Sequence, residues 1–298
     1  MISKLSVFVP CHITGFFEIV GNDDPLLKGS RGAGVALDSG VVTTCEVRSG
    51  SGNVFVRVNG EFNRLNTITG KAVDLIVDMF DLSFDGFDVF IDHEVDLPIG
   101  AGFGTSAAFS LGVSLTLPSL FGVNLSFKRA GDIAHLVEIY SSSGLGDVAG
   151  EMFGGCVMRL REGSPTNALL DKILLSQPIY VITKTLSSLE TSSIIENPIH
   201  QKAINSNGSN LLGALVKNPC IENFIELSNR FSHQTNLITP EIDEIVSVLN
   251  DECIGSSMAM LGNTAFALST TPDSPVEKCD ITKINLNGIK YEKNSEDR

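Results

Sequence analysis

The chain has 298 residues, 43% hydrophobic and 19% charged, and 21 Lys and Arg against 35 Asp and Glu give a net charge of −14. Its length allows one large or two modest domains that fold without disulfides or metals. The acidic excess argues against a protein that coats nucleic acid, which needs a basic face. A small anionic ligand remains compatible, because it experiences the local field of its cleft.

Hydropathy and cysteine spacing favour a cytoplasmic protein. No run of about 20 apolar residues spans a membrane, and the first residues lack the apolar core and cleavage site of a signal peptide. The six cysteines form no C-x-x-C pair, which argues against a zinc site, a redox motif or a disulfide framework. We expect reduced, mostly buried thiols at Cys11, Cys45, Cys156, Cys220, Cys253 and Cys279.

The first hundred residues consist mainly of strand patterns. Apolar or β-branched runs predict strands at 5–9, 41–48 and 54–58. The turn residues at 49–53 predict that the last two strands form a hairpin. The spacing of apolar residues predicts a helix over 69–80.

A half-exposed strand is predicted next, over 87–97. Apolar side chains alternate there with four carboxylates, which we interpret as a solvated face and not as paired catalysts. One helix is predicted from Gly104 to about Pro118, where the proline ends or kinks it. A second is predicted over 128–140, and a strand over 155–160.

The Gly-Ser-Pro-Thr-Asn cluster at 163–167 is the candidate boundary, which predicts domains over 1–163 and 164–298. Beyond it, strands are predicted at 179–183, 264–269 and 281–286, and helices at 191–203, 211–216, 221–231 and 240–249. Strands and helices mixed in both halves predict an α+β fold and not a doubly wound sheet.

The segment that points to chemistry follows a strand and opens a helix. Glycines at every second position let the backbone approach a ligand closely, and the free N–H groups of a helix N-terminus bind phosphate. Thr and Ser hydroxyls at that end can bond a phosphate oxygen or Mg2+. The predicted phosphate-binding residues are Pro98, Gly100, Gly102, Gly104, Thr105, Ser106 and Ala107.

Other phosphate loops fit this sequence less well. A Walker loop needs Gly-Lys-Ser/Thr, whereas Gly70-Lys71 is followed by Ala72, and a Rossmann fingerprint needs glycine where Thr105 stands. Protein-kinase signatures are absent. From the glycines alone, a tight strand-to-helix corner without a ligand remains the alternative.

The segment Pro98–Ala108 resembles the central motif of the GHMP kinases, named for galactokinase, homoserine kinase, mevalonate kinase and phosphomevalonate kinase. Residues 9–18 resemble the first motif of that family, and 257–266 resemble its third. Residues 143–148, followed by Gly154-Gly155, resemble the segment that holds the catalytic aspartate. The resemblance implies a two-domain α+β fold, with ATP and substrate in the cleft between the halves.

Within this superfamily the chain resembles the archaeal pantoate kinases in particular. The features are 29–35, 144–148 and Ala259-Met260-Leu261-Gly262, which replaces the run of glycines in most members. This resemblance implies phosphorylation of pantoate to 4-phosphopantoate by ATP and Mg2+, in archaeal coenzyme A biosynthesis. The alternatives are another GHMP kinase of the mevalonate type, or a related decarboxylase. Pantoate is the expected partner, without nucleic acid or membrane, and a homodimer stays open.

Three residues carry the chemistry that the resemblance implies. Asp147 accepts the hydroxyl proton or orients the hydroxyl; the alternative is an Asx turn between glycines. Glu138 and Ser106 ligate Mg2+, and the alternative for Glu138 is an ordinary exposed carboxylate on its helix.

Four residues are candidates for substrate contact. Arg159 is the expected partner of the pantoate carboxylate, because a guanidinium grips a carboxylate bidentately; otherwise it is a surface arginine. His135 contacts substrate or is a structural hydrogen-bonding residue. Thr191 is expected to cap a helix and to contact pantoate. His12 stands where many GHMP kinases carry Lys or Arg, so a fixed cation is not assured.

Two interpretations of His12 stay open. In one, its ring bonds the substrate. In the other, the missing positive charge comes from Arg31 or Lys28.

Overall fold

The computed structural model describes residues 3–63, 67–188 and 198–292. Within these ranges the strands are β1 (Lys4–Val20), β2 (Gly29–Ser49), β3 (Val54–Val58), β4 (Glu61–Phe62), β5 (Phe87–Val95), β6 (Cys156–Arg161), β7 (Leu169–Ile173), β8 (Tyr180–Ser187), β9 (Gly255–Met258), β10 (Asn263–Ser269), β11 (Asp280–Lys283) and β12 (Lys290–Glu292). The helices are α1 (Thr67–Phe80), α2 (Thr105–Leu120), α3 (Phe127–Ser141), α4 (Asp147–Phe153), α5 (Pro198–Lys217), α6 (Ile221–Gln234) and α7 (Pro240–Asn250).

The larger sheet is built on the long antiparallel pair β1 and β2. Its order is β12-β1-β2-β5-β3-β4, and β6 pairs with β2 and with β7. The register of β1 against β2 shifts between Pro10 and His12 and again between Thr14 and Phe16. Such irregularities re-aim side chains, and here they fall within the first motif.

The predicted hairpin between 41–48 and 54–58 is wrong. Strand β5 lies between these two strands, antiparallel to β2 and parallel to β3. The connection is held open by Asp88, whose carboxylate accepts hydrogen bonds from the backbone N–H groups of Ser51 and Asn53, each at 2.9 Å. The turn residues at 49–53 therefore connect strands that are not neighbours.

The predicted alternation is confirmed for most of β5, although the strand ends at Val95 and not at 97, and Phe87 of the apolar face is exposed. Val89, Ile91 and Val95 are buried, and the carboxylates of the other face lie at or near the surface. The helix predicted over 69–80 is also confirmed, at 67–80.

Helix α2 is the central helix of this half. It packs against β1 and β2 on one side and against α1 and α3 on the other, and nearly all of its side chains are buried. Pro118 lies inside its last turn and the helix continues to Leu120. None of the helices in the described part of the chain has the length and apolar character needed to cross a membrane.

The second sheet has the order β11-β8-β10-β9. Helices α6 and α7 pack on its strands β9 and β10. Helix α6 also contacts β1, where Phe224 and Phe231 each lie 6.4 Å from Phe16, measured between ring centroids. These rings join the two halves in one core.

Mixed helix and sheet confirms the α+β prediction, but several elements differ from it. The helices expected at 191–203 and 211–216 are one helix, α5, where the structure describes them. Helix α4 and strands β7, β9 and β12 were not predicted. Strands β7 and β12 follow residue 163 and join the larger sheet. The halves on either side of 163–167 therefore share that sheet.

Candidate active site

The Gly-rich loop before α2 has the backbone that its glycines predict. Gly100, Gly102 and Gly104 have φ of 76°, 90° and 68°, a left-handed region where L side chains are strained. Gly104 is the N-cap of α2, and no side chain of the described residues caps it. The first N–H groups of α2 thus meet the conditions for binding an anion.

The three motifs interlock through their backbones. The N–H of His12 donates to the carbonyl of Phe103 over 3.0 Å, and the N–H of Met260 donates to the carbonyl of Thr14 over 3.0 Å. The Thr264 hydroxyl donates to the carbonyl of Ala101 over 2.8 Å. Strand β1, the Gly-rich loop and the β9–β10 turn therefore meet around one cleft.

This cleft contains most of the predicted site residues. From the glycine loop it is lined by Gly100, Gly102, Phe103, Gly104, Thr105 and Ser106, and from α3 and the loop after it by Glu138, Ser143, Gly144, Leu145 and Gly146. Thr14, Phe17, Ser30, Asp147, Arg159, Met260 and Leu261 complete the lining.

Asp147 is the first residue of α4 and is held by two donors. Its Oδ1 lies 2.9 Å from His12 Nδ1 and 3.2 Å from the Thr14 hydroxyl, and its side chain remains 25% exposed toward the cleft. Burial alone would raise the pKa of Asp147, but the His12 hydrogen bond and the Arg159 charge lower it. The group is therefore an ionised, oriented carboxylate at neutral pH.

Glu138 presents a buried oxygen without a partner. The side chain is 1% exposed, and its Oε2 has no hydrogen-bond partner among the described residues. Burial and then the charge of Asp147 raise its pKa well above the usual range. A cation would satisfy this oxygen, and Ser106 lines the same cleft. The pair fits Mg2+, which usually takes few protein ligands beside phosphates and water.

Arg159 is a buried cation of the cleft and not a surface arginine. It is 2% exposed, and its Nε and Nη1 have no partner among the described residues. Burial lowers its pKa, which the charges of Asp147 and Glu138 oppose. It is the single Lys or Arg among the lining residues that the structure describes. A buried guanidinium with free donors calls for an anionic ligand.

Several predicted residues lie elsewhere. His135 is buried and does not line the cleft. Its Nε2 is hydrogen-bonded to the carbonyls of Pro25 and Lys28 at 3.1 and 3.0 Å. These contacts fit the alternative that His135 is a structural hydrogen-bonding residue. Arg31 pairs with Glu18 at 2.8 Å, and neither Arg31 nor Lys28 lines the cleft.

Other predictions concern the rims of the site. Pro98 and Ala107 flank the loop without lining the cleft. His12 is hydrogen-bonded to Asp147 but does not line the cleft. Thr191 lies outside the described residues.

Sequence reasoning missed several lining residues. Thr14 and Met260 belong to the first and third motifs, so their motif positions were the available signal. Ser30 lies in the 29–35 segment that carries the resemblance to the archaeal pantoate kinases, so that segment was the available signal. In the fold, Ser30 is held on β2 opposite Ile19 of β1.

Comparison with known proteins identifies similar sequences over most of the chain. The model of the GHMP kinases N terminal domain matches residues 66–155. A pantoate kinase of Methanocaldococcus jannaschii is 35% identical over 88% of this chain and 92% of its own length. A pantoate kinase of Thermococcus kodakarensis is 32% identical over 95% and 93%.

Solved structures share the whole architecture. A phosphotransferase related to the CoA biosynthesis pathway superimposes with a TM-score of 0.85 at 30% identity, over 97% of this chain and 98% of that one. The Methanococcus jannaschii mevalonate kinase shares the fold, with a TM-score of 0.70 at 15% identity over 95% and 98%. The chain therefore belongs to the GHMP kinase family, together with these archaeal relatives.

Proposed function

We propose that this protein is a pantoate kinase, which transfers the γ-phosphoryl group of ATP to the primary hydroxyl of pantoate. The products are 4-phosphopantoate and ADP, and the reaction belongs to coenzyme A biosynthesis. The observation that carries the proposal is the group of archaeal relatives named pantoate kinase, 29–35% identical over 88–95% of the chain.

The Gly-rich loop is the proposed site for the ATP phosphates. The amides at the start of α2 and the hydroxyls of Thr105 and Ser106 point to phosphate binding by a helix end. Gly102 leaves room for close packing, since a β-carbon there would lie 3.1 Å from that of Ala259. Pro98 and Ala107 frame the loop at its two ends.

We assign the Mg2+ site to Ser106 and Glu138. Mg2+ held by these two residues would neutralise the charge that develops on the phosphates during transfer. The unpartnered Oε2 of Glu138 supports this assignment. Because its pKa is raised without the metal, binding of Mg2+ is expected to release a proton from this carboxyl.

Asp147 acts on the substrate hydroxyl. Its lowered pKa keeps the carboxylate ionised, so it can accept a hydrogen bond from the hydroxyl and direct the oxygen toward the γ-phosphorus. The proton that leaves the hydroxyl during transfer is taken by this carboxylate. Both fixed donors bind Oδ1, which leaves Oδ2 for the hydroxyl.

Arg159 is the proposed partner of the pantoate carboxylate. Its unpartnered nitrogens and its position among the lining residues support a bidentate contact. Thr191 stays a proposed second contact. His135 is better explained as support for the 25–28 loop, whose carbonyls its ring bonds.

Residues 1–163 and 164–298 are the proposed lobes of the enzyme, with the cleft between them, although β7 and β12 add to the sheet of the first lobe. We place the enzyme in the cytoplasm, where its free cysteines stay reduced. A homodimer is an extension of this proposal that sedimentation would test.

A substrate panel tests the function. Release of ADP would be followed with pantoate, mevalonate, homoserine and shikimate, each with ATP and Mg2+. We expect turnover with pantoate at least about 100-fold above the other acceptors, the discrimination that a buried polar site imposes on ligands leaving its groups unpaired. Turnover of mevalonate without turnover of pantoate would overturn the proposal.

A further inference from the structure

The imidazole of His12 lies in a slot between two glycines. Gly34 of β2 closes one side, where any β-carbon would overlap the ring. Gly150 of α4 closes the other, where a β-carbon would come within 2.7 Å of Cδ2 and Nε2. The ring is fully buried, so its orientation is fixed by the two backbones.

The surroundings also fix the tautomer of this ring. Asp147 is ionised and only accepts hydrogen bonds, so the proton between the pair lies on His12 Nδ1. Nε2 is buried and has no partner among the described residues. Burial lowers the pKa of His12, against the opposing bond to Asp147. The ring is therefore neutral, with its single N–H directed at Asp147 Oδ1.

We propose that His12 is a positioning residue for Asp147, and that Gly34 and Gly150 form the slot that aims it. His12 would touch neither substrate nor phosphate. Both interpretations left open by the sequence lose support, because His12, Arg31 and Lys28 all lie outside the lining of the cleft and Arg31 pairs with Glu18. The inference rests on the proposed role of Asp147 in the transfer reaction.

A substitution at Gly150 tests this slot most selectively. It lies inside helix α4 without a left-handed φ, where alanine is ordinarily the more favourable residue. The nearest atoms to a β-carbon at 150 all belong to the His12 ring. A methyl group there therefore displaces the imidazole first.

The test is a double-mutant cycle on the full chain, with kcat and KM for pantoate. The variants are Gly150→Ala, His12→Ala and the pair together, and Gly213→Ala is the control because its β-carbon meets open space in α5. We expect Gly150→Ala to lower kcat at least about tenfold and His12→Ala about 100-fold, within the range of a misplaced acid–base group. KM should stay within about twofold.

Coupling between the sites is the decisive result. Once the imidazole is gone, the added methyl group has nothing to displace, so the double variant should match His12→Ala within about twofold. The proposal would be overturned if the fall in kcat of the double variant equalled the product of the two single falls. A wild-type kcat in Gly150→Ala would also overturn it. The Gly213→Ala control should keep the wild-type kcat.

Conservative rescue separates positioning from simple packing. In His12→Asn the amide nitrogen occupies the place of Nδ1 and can donate to Asp147. We expect its kcat to exceed that of His12→Ala at least about tenfold, the value of a restored charge-assisted hydrogen bond. Equal losses in both variants would contradict the proposal, and thermal unfolding would show that each is folded.

A readout without substrate distinguishes this inference from the proposed function. Nitrogen NMR of the His12 ring, assigned by comparison with His12→Asn, should show Nδ1 protonated and Nε2 unprotonated at neutral pH. The reverse tautomer would overturn the inference even in an active pantoate kinase. If the expected tautomer is found but the protein does not phosphorylate pantoate, the proposed substrate is wrong and the proposed arrangement of His12 and Asp147 stands.

Discussion

The guanidinium of Arg159 lies directly against the backbone of Gly146: a β-carbon at 146 would come within 2.7 Å of Arg159 Nε. Gly146 is the residue before Asp147, so this contact places a buried cation beside the start of α4. Arg159, which is predicted to bind the carboxylate, and Asp147, which is predicted to act on the hydroxyl, are therefore held next to each other.

Replacing Arg159 tests the carboxylate contact. We expect Arg159→Ala to raise the KM for pantoate roughly 10- to 150-fold, because it removes charge-assisted hydrogen bonds of about 1.5–3 kcal/mol. Steady-state kinetics with saturating ATP measures this. Arg159→Lys should recover part of the loss, since an ammonium lacks the planar fork.

A matched control for this experiment lies on the same strand. Arg161 is exposed and donates to the carbonyl of Asn167 over 3.0 Å. Arg161→Ala should leave the KM for pantoate within about twofold of wild type, as surface substitutions usually do. An unchanged KM in Arg159→Ala would remove the assignment.

Asp147→Asn should lower kcat by roughly 10²–10⁴, the contribution of general acid–base groups. The side chain keeps its size, so the unfolding temperature should change little. Asp78→Asn, at an exposed position of α1, is the control and should be as active as wild type. Wild-type turnover by Asp147→Asn would show that another group orients the substrate hydroxyl and accepts its proton.

Glu138→Gln should weaken the response to Mg2+. The amide has the shape of the carboxyl but no charge for the ion, so the Mg2+ concentration at half-maximal rate should rise at least about tenfold. The exposed Glu94 of β5 supplies the control variant, Glu94→Gln. Identical Mg2+ titrations of Glu138→Gln and wild type would place the ion elsewhere.

Glu151 allows a prediction about stability and pH. It is fully buried, both carboxyl oxygens lack a partner among the described residues, and burial, with Asp147 and Glu138, raises its pKa well above the usual range. A group with a raised folded pKa loses its contribution to stability as pH rises from the unfolded pKa, about 4.3, to the folded one.

Glu151→Gln should therefore be at least as stable as wild type at pH 7, because glutamine matches the protonated acid without titrating. Its advantage in the free energy of unfolding should grow with pH by at most about 1.4 kcal/mol per unit. Denaturant unfolding at pH 5, 6 and 7 measures this. An advantage that stays constant from pH 5 to pH 7 would show that Glu151 is ionised in the folded protein, because the group would then carry no proton in either state.

Local patterns predicted much of the fold. The helix at 69–80 and the alternation of β5 follow from side-chain periodicity, which is independent of partners. The order of the strands in the sheet, in contrast, depends on contacts between segments that are distant in the sequence. The turn chemistry at 49–53 favoured a hairpin, but Asp88 from β5 satisfies the backbone of that segment. Helix α4 has only seven residues and begins among glycines, so its pattern was too short to detect.

The site was predictable where a motif carried it. Gly100, Gly102, Gly104, Thr105, Ser106, Glu138 and Asp147 line the cleft, and so does Arg159, which was expected there from its guanidinium and not from a motif. The roles of these residues stay predictions. His135 shows the limit of helical spacing, because its ring faces the 25–28 carbonyls and not the cleft. Ser30 and Gly34 lie in the 29–35 segment that carries the resemblance, but the contacts of Gly34 and Gly150 with the His12 ring join distant segments, which no local pattern predicts.

Phosphorus NMR of the product shows whether the phosphoryl group is transferred to the primary hydroxyl of pantoate. Pantoate, ATP, Mg2+ and the full chain would be incubated, and the coupling of the new phosphomonoester signal to hydrogen would be recorded. A phosphate on the primary oxygen is adjacent to a CH2 group, so we predict a triplet. A doublet, from the secondary hydroxyl, or release of inorganic phosphate alone would contradict it.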